Sequence, residues 1–338
     1  MKTPLLSILL LILLIAPLGR SMTQDNSPLK AVTTIPMPKN IGHFDHFGVD
    51  IKGKRLFISD EDSNTVEAVS LDSGKHLYTI KGLTRPHNIL YLPERDQLVI
   101  TDGGGNVRFL RGSDYGIIRT IKVALNADFM FYDPRTKYVY VTNGGHVAKL
   151  DHGYLSIINT VTGKHLGDIV INGAHIEAVA GELSGPRIFV NMTDRNAVAV
   201  VDRNKKQVIA EWKIPEAGEN IPIELDEKNK RLFVTCREPA QLVVFDTDSG
   251  TVISRLPIVG TSDDMSFDSA RKRIYVSGEG SVSVIQQDDP NNYSKIAEIP
   301  TGPGGHTSIF VPHLSRFYVA SRPSEGSTPK LQVFEARP

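Results

Sequence analysis

A short phrase that recurs seven times is the feature that most restricts how this chain can fold. Each copy is one strand's length of apolar residues, usually preceded by Arg and followed by Ser or Thr; the first is Arg55-Leu56-Phe57-Ile58-Ser59-Asp60. The fourth residue of each copy serves as its reference, and these are Ile58, Ile100, Val141, Val190, Val234, Val276 and Val319. Their spacings are 42, 41, 49, 44, 42 and 43 residues. Short strands at this period are typical of propeller blades, so the pattern predicts an all-β, seven-bladed β-propeller.

Each repeat predicts a blade of four antiparallel strands. An inner strand such as Asp264–Asp268 precedes the phrase, which is the second strand. A third strand such as Leu242–Asp246 and an outer strand such as His76–Ile80 follow. The phrase is apolar throughout because a strand inside a blade is covered on both faces by neighbouring blades.

The last repeat lacks an outer strand of its own. It ends at Leu331–Phe334, which reads as a third strand, four residues before the C-terminus. Ala31–Ile35, followed by Pro36, resembles the six outer strands found elsewhere. We therefore predict that the N-terminal strand completes the last blade, which closes the ring and removes exposed sheet edges.

The first 21 residues have the pattern of a secretory signal peptide. Lys2 precedes the apolar run Leu5–Leu18, and Gly19-Arg20-Ser21 offers small residues for cleavage after Ser21. The run is shorter than the ~20 residues that span a bilayer. The expected organisation is a signal peptide at 1–21, a polar lead-in at 22–30 and one propeller domain at 31–338, located in the periplasm or outside the cell and not spanning a membrane.

The charge composition argues against nucleic acid as a partner. Cleavage after Ser21 would leave 36 basic and 38 acidic residues, a net charge of −2. Such a balance gives no long-range attraction to nucleic acid. The single cysteine, Cys236, cannot form an internal disulfide, so the domain depends on its core for stability, and it is long enough to bury one. We expect a monomer.

Ionisable residues concentrate at the start of the predicted inner strands. The position 13 residues before each reference residue is occupied by Asp45, His87, Asp128, Glu177, Ile221, Asp263 and His306. Six of these seven are carboxylates or imidazoles. Inner strands begin on the rim where second strands end, so we expect these side chains to form a ring at the mouth of the axial channel.

Further candidates for the same rim lie beside the ring or in long loops. The 49-residue spacing arises from an insertion at 143–153, and inserted loops often carry binding residues. The additional rim candidates are His46, His146, His152, His175, Asp264, Arg237 and Arg322.

Several carboxylates around one channel repel each other unless a cation or a histidinium neutralises them. One hypothesis is a divalent metal held by His87, Asp128, Glu177, Asp263 and His306; apart from this metal, no cofactor is expected. The candidate catalytic residues for acid–base chemistry are His87, Asp128, Glu177 and His306. The alternative is that polar strand ends merely line a water-filled channel.

The third copy of the phrase contains Tyr140-Val141-Thr142-Asn143. With the repeat period and the Asp-x-x-[Ser/Thr]-Gly-type turns, residues 31–338 resemble the YVTN-family β-propeller repeat proteins. The resemblance implies an exported seven-bladed propeller and leaves the chemistry open.

Two functions remain. The first is a binding or scaffold propeller that holds a small molecule or a protein at the rim. The second is a metal-assisted lactonase or lyase, whose propeller layout this chain resembles. Binding is favoured because no motif in the chain specifies a reaction.

Overall fold

The computed structural model describes residues 27–38, 42–323 and 328–338. The predicted signal peptide and its cleavage site lie outside these residues. A search of the described part finds no helix with the length and apolar character needed to cross a membrane.

The described residues form seven antiparallel sheets of four strands each, which confirms the predicted propeller. In chain order, the strands are β1 (Leu29–Pro36), β2 (Phe44–Asp50), β3 (Arg55–Asp60), β4 (Thr65–Ser70), β5 (His76–Ile80), β6 (Pro86–Leu92), β7 (Gln97–Asp102), β8 (Asn106–Arg111), β9 (Ile117–Lys122), β10 (Ala127–Asp133), β11 (Tyr138–Asn143), β12 (Gly153–Asn159), β13 (His165–Ile171), β14 (Ile176–Gly181), β15 (Arg187–Met192), β16 (Ala197–Asp202), β17 (Gln207–Lys213), β18 (Gly218–Asp226), β19 (Arg231–Glu238), β20 (Ala240–Asp246), β21 (Val252–Pro257), β22 (Asp264–Asp268), β23 (Arg273–Gly278), β24 (Ser281–Asp289), β25 (Asn292–Pro300), β26 (Thr307–Val311), β27 (Arg316–Ser321) and β28 (Lys330–Ala336). Short 3₁₀ turns occupy Gly145–Ala148, Thr193–Arg195, Glu227–Asn229 and Pro312–Leu314.

The blades follow one another along the chain, from blade 1 (β2–β5) to blade 6 (β22–β25). Blade 7 contains β26, β27, β28 and, as its outer strand, β1. Strand β1 pairs antiparallel with β28, with Leu29 opposite Ala336 and Pro36 opposite Lys330, so the N-terminal strand closes the ring as predicted. It begins two residues earlier than Ala31 because Leu29 is buried in the core between blades 6 and 7.

In four of the seven blades, the leading Arg of the repeated phrase ties the blade to the next one. Its guanidinium reaches a backbone carbonyl in the turn or at the end of the following blade, where it satisfies a carbonyl that has no strand partner. The pairs are Arg55 with Gly112, Arg187 with Thr247, Arg231 with Pro290 and Arg273 with Arg337. The repeated Arg therefore has a structural role at the rim opposite the ionisable ring.

Candidate axial binding site

All seven residues of the predicted ring line one cavity at the end of the channel. The cavity has a volume of about 580 Å³. The rim candidates His46, His146, His175, Arg237 and Arg322 also line it. The repeat alignment therefore identified residues that the fold places together, although they come from every blade.

A β-bulge positions most of the ring. In blades 1 to 5 the pairing between the first and second strands shifts register at the ring position, for example between Phe44 and Phe47 in blade 1. A bulge bends the strand and re-aims a side chain, here that of Asp45 towards the axis. In blades 6 and 7 the pairing of the first and second strands is regular, and Asp263 and His306 lie directly before β22 and β26.

In two repeats, the polar residue that follows the apolar phrase holds the bulge of the next blade in place. Ser59 donates a hydrogen bond to the backbone carbonyl of His87 (2.6 Å), and Thr101 donates one to that of Asp128 (2.6 Å). In each pair the donor belongs to one blade and the carbonyl to the next. Ser59 and Thr101 thus fix the backbone of the ring residues His87 and Asp128 in the following blade.

Two predicted rim residues lie outside the cavity. His152 is past the 3₁₀ turn that brings His146 against His175, and it hydrogen-bonds Tyr154 (2.8 Å) instead. Asp264 lines a smaller chamber further along the channel, about 210 Å³ in volume. The inserted loop therefore contributes one histidine to the cavity rather than two.

The five residues suggested as a metal site do not converge on one point, because the blades hold them around a wide ring. Glu177 hydrogen-bonds His175, and Asp263 pairs with Arg237 at 2.8 Å. His306 contacts Arg322 at 3.1 Å. In the described part of the chain, the clusters with metal-ligand spacing instead share Asp45; they are Asp45, Glu61 and His87, and Asp45, His46 and Asp128.

Four residues form part of a second ring, of which the sequence analysis predicted Arg237 and Arg322 and missed Glu61 and Glu279. Glu61 and Glu279 each lie three positions after a reference residue, the same position that Arg237 and Arg322 occupy in other repeats. All four line the cavity. The regular offset was present in the sequence and would have identified them.

His87 lies between two carboxylates. Its Nδ1 is 2.8 Å from both Asp45 Oδ2 and Glu61 Oε1, and Glu61 also accepts from Arg85 (3.0 Å). Burial disfavours charge on His87, but the neighbouring carboxylates, Asp128 foremost, outweigh it and raise the pKa of His87 to about 11. His87 is therefore an imidazolium that neutralises this side of the cavity.

Asp128 is the carboxylate of the ring that has no hydrogen-bonded or ion-paired partner within the described residues. Its side chain is buried, with 6% relative exposure, and within the described residues no group donates a hydrogen bond to its carboxylate. Burial and the charges of Glu177 and Asp45 raise the pKa of Asp128 to about 7, although His87 opposes the shift.

His46 and Phe129 separate the cavity from the smaller chamber. Their rings pack at 4.2 Å, and both residues line both spaces. His46 contacts a carboxylate on each side, Asp264 at 2.9 Å and Asp45 at 3.3 Å. These carboxylates overcome the effect of burial and raise the pKa of His46 well above its ordinary value.

The smaller chamber makes stability depend on pH through Glu224. Burial, with a contribution from Asp264, raises the pKa of Glu224 from 4.5 to about 7; Asp263 and His46 face the same chamber. Unfolded chains lose this proton near pH 4.5, whereas the folded protein keeps it until about pH 7. The proton on Glu224 therefore stabilises the folded state at low pH, and this contribution to the unfolding free energy is lost as the pH rises to 7.

We expect Glu224→Gln to remove this loss of stability. The difference in unfolding free energy between native protein and variant should grow by up to about 3 kcal/mol from pH 4.5 to pH 8, at 1.36 kcal/mol per pKa unit. Urea denaturation at both pH values measures it, with the exposed Glu219→Gln as the control. Equal pH dependence in native protein and Glu224→Gln would contradict the prediction.

A larger groove of about 930 Å³ lies on the outer surface between blades 7 and 1. It occurs where the inter-blade arginine contact is absent, since Arg316 bonds Glu335 of its own blade (3.1 Å). Among the described residues, no cluster with metal-ligand spacing lines this groove. The axial cavity is therefore the candidate site despite its smaller volume.

The chain matches no protein-family model and no curated protein. Among solved structures, it is similar to hydrazine synthase of Kuenenia stuttgartiensis, with 17% identity and a TM-score of 0.75 over 84% of this chain and 94% of that one. It is also similar to a chain of the mitotic checkpoint complex, with 12% identity and a TM-score of 0.74 over 99% of this chain and 100% of that one. At these identities the similarity shows a shared β-propeller fold and leaves the chemistry to the site itself.

Proposed function

We propose that this protein is an exported β-propeller that binds a small polar molecule in its axial cavity. The convergence of ionisable residues from around the ring on one cavity of about 580 Å³ carries the proposal. This volume is within the range of small-molecule sites. An apolar ligand would leave the buried charged groups without partners, so the ligand must itself be polar or charged.

Arg322 indicates which charge the ligand carries. Its guanidinium contacts His306 rather than a carboxylate, and among the described residues its buried Nε has no hydrogen-bond partner. Arg237, by contrast, is already paired with Asp263. Guanidinium groups bind carboxylates and phosphates with paired hydrogen bonds. We therefore propose an anionic group on the ligand, placed against Arg322.

Export and membership of the YVTN repeat proteins are part of the same proposal. The apolar run that follows Lys2 supports export to the periplasm or the extracellular space. The seven phrases, one of which reads Tyr140-Val141-Thr142-Asn143, support the family resemblance.

Thermal unfolding in the presence of defined probes tests the binding proposal. The probes are citrate, glucose 6-phosphate and, as a neutral comparison, glucose. We expect at least one anionic probe to raise the melting temperature; a ligand at 100 times its Kd adds about 2.7 kcal/mol of stability. Arg322→Gln should abolish the shift, whereas Arg111→Gln, an exposed arginine on the opposite rim, should not. A shift that survives in Arg322→Gln, or one produced by glucose alone, would contradict the proposal.

The lactonase or lyase alternative uses the same cavity and differs from binding only in turnover. A panel of lactones, monitored by acid release, distinguishes the two. Turnover that is lost in Arg322→Gln would replace the binding proposal with catalysis at this site.

A further inference from the structure

We propose that the axial cavity binds a divalent transition-metal ion, such as Zn²⁺ or Mn²⁺, between Asp45, His46 and Asp128. One ligand atom from each residue lies within 4.8 Å of the other two, and all three residues are buried. The inference deepens the proposed function, on which it rests, by naming one ligand of the cavity. Asp45 and His46 come from blade 1 and Asp128 from blade 3.

His46 has the arrangement of a metal-binding histidine. Its Nδ1 lies 2.9 Å from Asp264 Oδ1, so the carboxylate fixes the ring and leaves Nε2 facing Asp45 Oδ1 at 3.3 Å. Histidine ligands typically bind a metal through one nitrogen while the other donates to such a carboxylate.

Asp45 is oriented in a similar way. Its Oδ2 accepts a hydrogen bond from His87 Nδ1 (2.8 Å), which leaves Oδ1, on the side of His46, for the ion. His87 is thus a positioning residue for this site rather than a ligand.

Asp128 supplies a second, independent observation that points to a cation. The residue is only 6% exposed and lines the cavity, and no group among the described residues donates a hydrogen bond to its carboxylate. A bound cation would pair with this carboxylate and stabilise its charge. Among the metal-type clusters, this distinguishes the site from Asp45, Glu61 and His87, where Arg85 and His87 already neutralise Glu61.

The ligand types indicate the class of ion. One imidazole with two carboxylates suits Zn²⁺ or Mn²⁺ better than Ca²⁺ or Mg²⁺, which prefer oxygen ligands alone. Three protein ligands also leave coordination positions open for water or a ligand group, as in catalytic zinc sites.

Isothermal titration of the chelator-treated mature chain with Zn²⁺ and with Mn²⁺, without any small ligand, tests the site. We expect one ion per chain for at least one of these metals, and a Co²⁺ visible spectrum typical of mixed nitrogen and oxygen ligands. Asp128→Asn should abolish the one-site isotherm and the spectrum. Asp264→Asn should weaken binding about 10- to 100-fold, as substitutions behind a metal ligand commonly do.

Glu177→Gln is the matched control because it removes the same charge from the same cavity but outside the three-ligand cluster. It should bind the ion normally, and circular dichroism should show that all variants remain folded. Equal loss in Glu177→Gln and Asp128→Asn, unchanged binding in Asp128→Asn, or no binding of either metal would overturn the inference. Because Arg322→Gln tests the anionic ligand separately, failure of the metal site and failure of the proposed function remain distinguishable.

Discussion

Deletion of β1, residues Leu29–Pro36, is expected to lower the free energy of unfolding by about 3–6 kcal/mol and to promote association. The strand buries Leu29 and Ile35, which are 2% and 5% exposed, and each such side chain contributes roughly 1.5–3 kcal/mol. Its loss also leaves β28 as an unpaired edge, which can pair with a second copy.

Denaturant unfolding and light scattering measure the two effects. Deletion of residues 22–26, which precede β1, serves as the control and should leave stability unchanged. A synthetic peptide of residues 27–38 should restore stability and reverse the association, whereas the same peptide with Leu29→Asp and Ile35→Asp should not. A β1 deletion that unfolds at the same denaturant concentration as the mature chain would show that blade 7 does not need this strand.

Substitution of Arg203 by Met is expected to cost about 3–5 kcal/mol, the usual effect of removing one partner from a buried ion pair. Arg203 bonds Asp133 at 2.8 Å, and the two side chains are 3% and 0% exposed. It also donates to the carbonyls of Glu182 and Gly185. The contact joins blade 4 to blade 3, whose own phrase begins with Tyr138 instead of Arg.

A double-mutant cycle with Asp133→Asn separates the ion pair from the lost carbonyl contacts. The double variant should be more stable than the sum of the single effects predicts, because neither charge is then buried alone. Arg111→Met provides the control, since its pair with Asp114 is exposed and exposed ion pairs contribute little to stability. Similar losses in Arg203→Met and Arg111→Met would show that burial of this pair has no special effect.

The fold could be predicted because every repeat contains the same apolar phrase. An apolar phrase without alternation requires cover on both faces, and a neighbouring blade on each side supplies it. The count of outer strands then required a strand from the other end of the chain, and Leu29 opposite Ala336 is the observed outcome. The exact start of that strand was missed because the burial of Leu29 depends on blades 6 and 7 rather than on local sequence.

The site was predicted in part, for a geometric reason. Residues at equivalent repeat positions, such as Asp45 and Asp128, must lie around one axis, so the alignment brought them together. The direction of a side chain within a loop has no such periodicity. His146 turns into the cavity, whereas His152 turns to Tyr154.

The sequence by itself determined seven blades, the closing strand and the ring of ionisable residues, because all three follow from counting along a regular repeat. Only the tertiary structure decided which ionisable residues of the cavity have their charge neutralised. Glu61 and His87 form an ion pair, whereas no group in the described chain donates a hydrogen bond to the Asp128 carboxylate. That difference depends on distances of a few ångströms between side chains from different blades, where electrostatic interactions are strong and a repeat pattern carries no information.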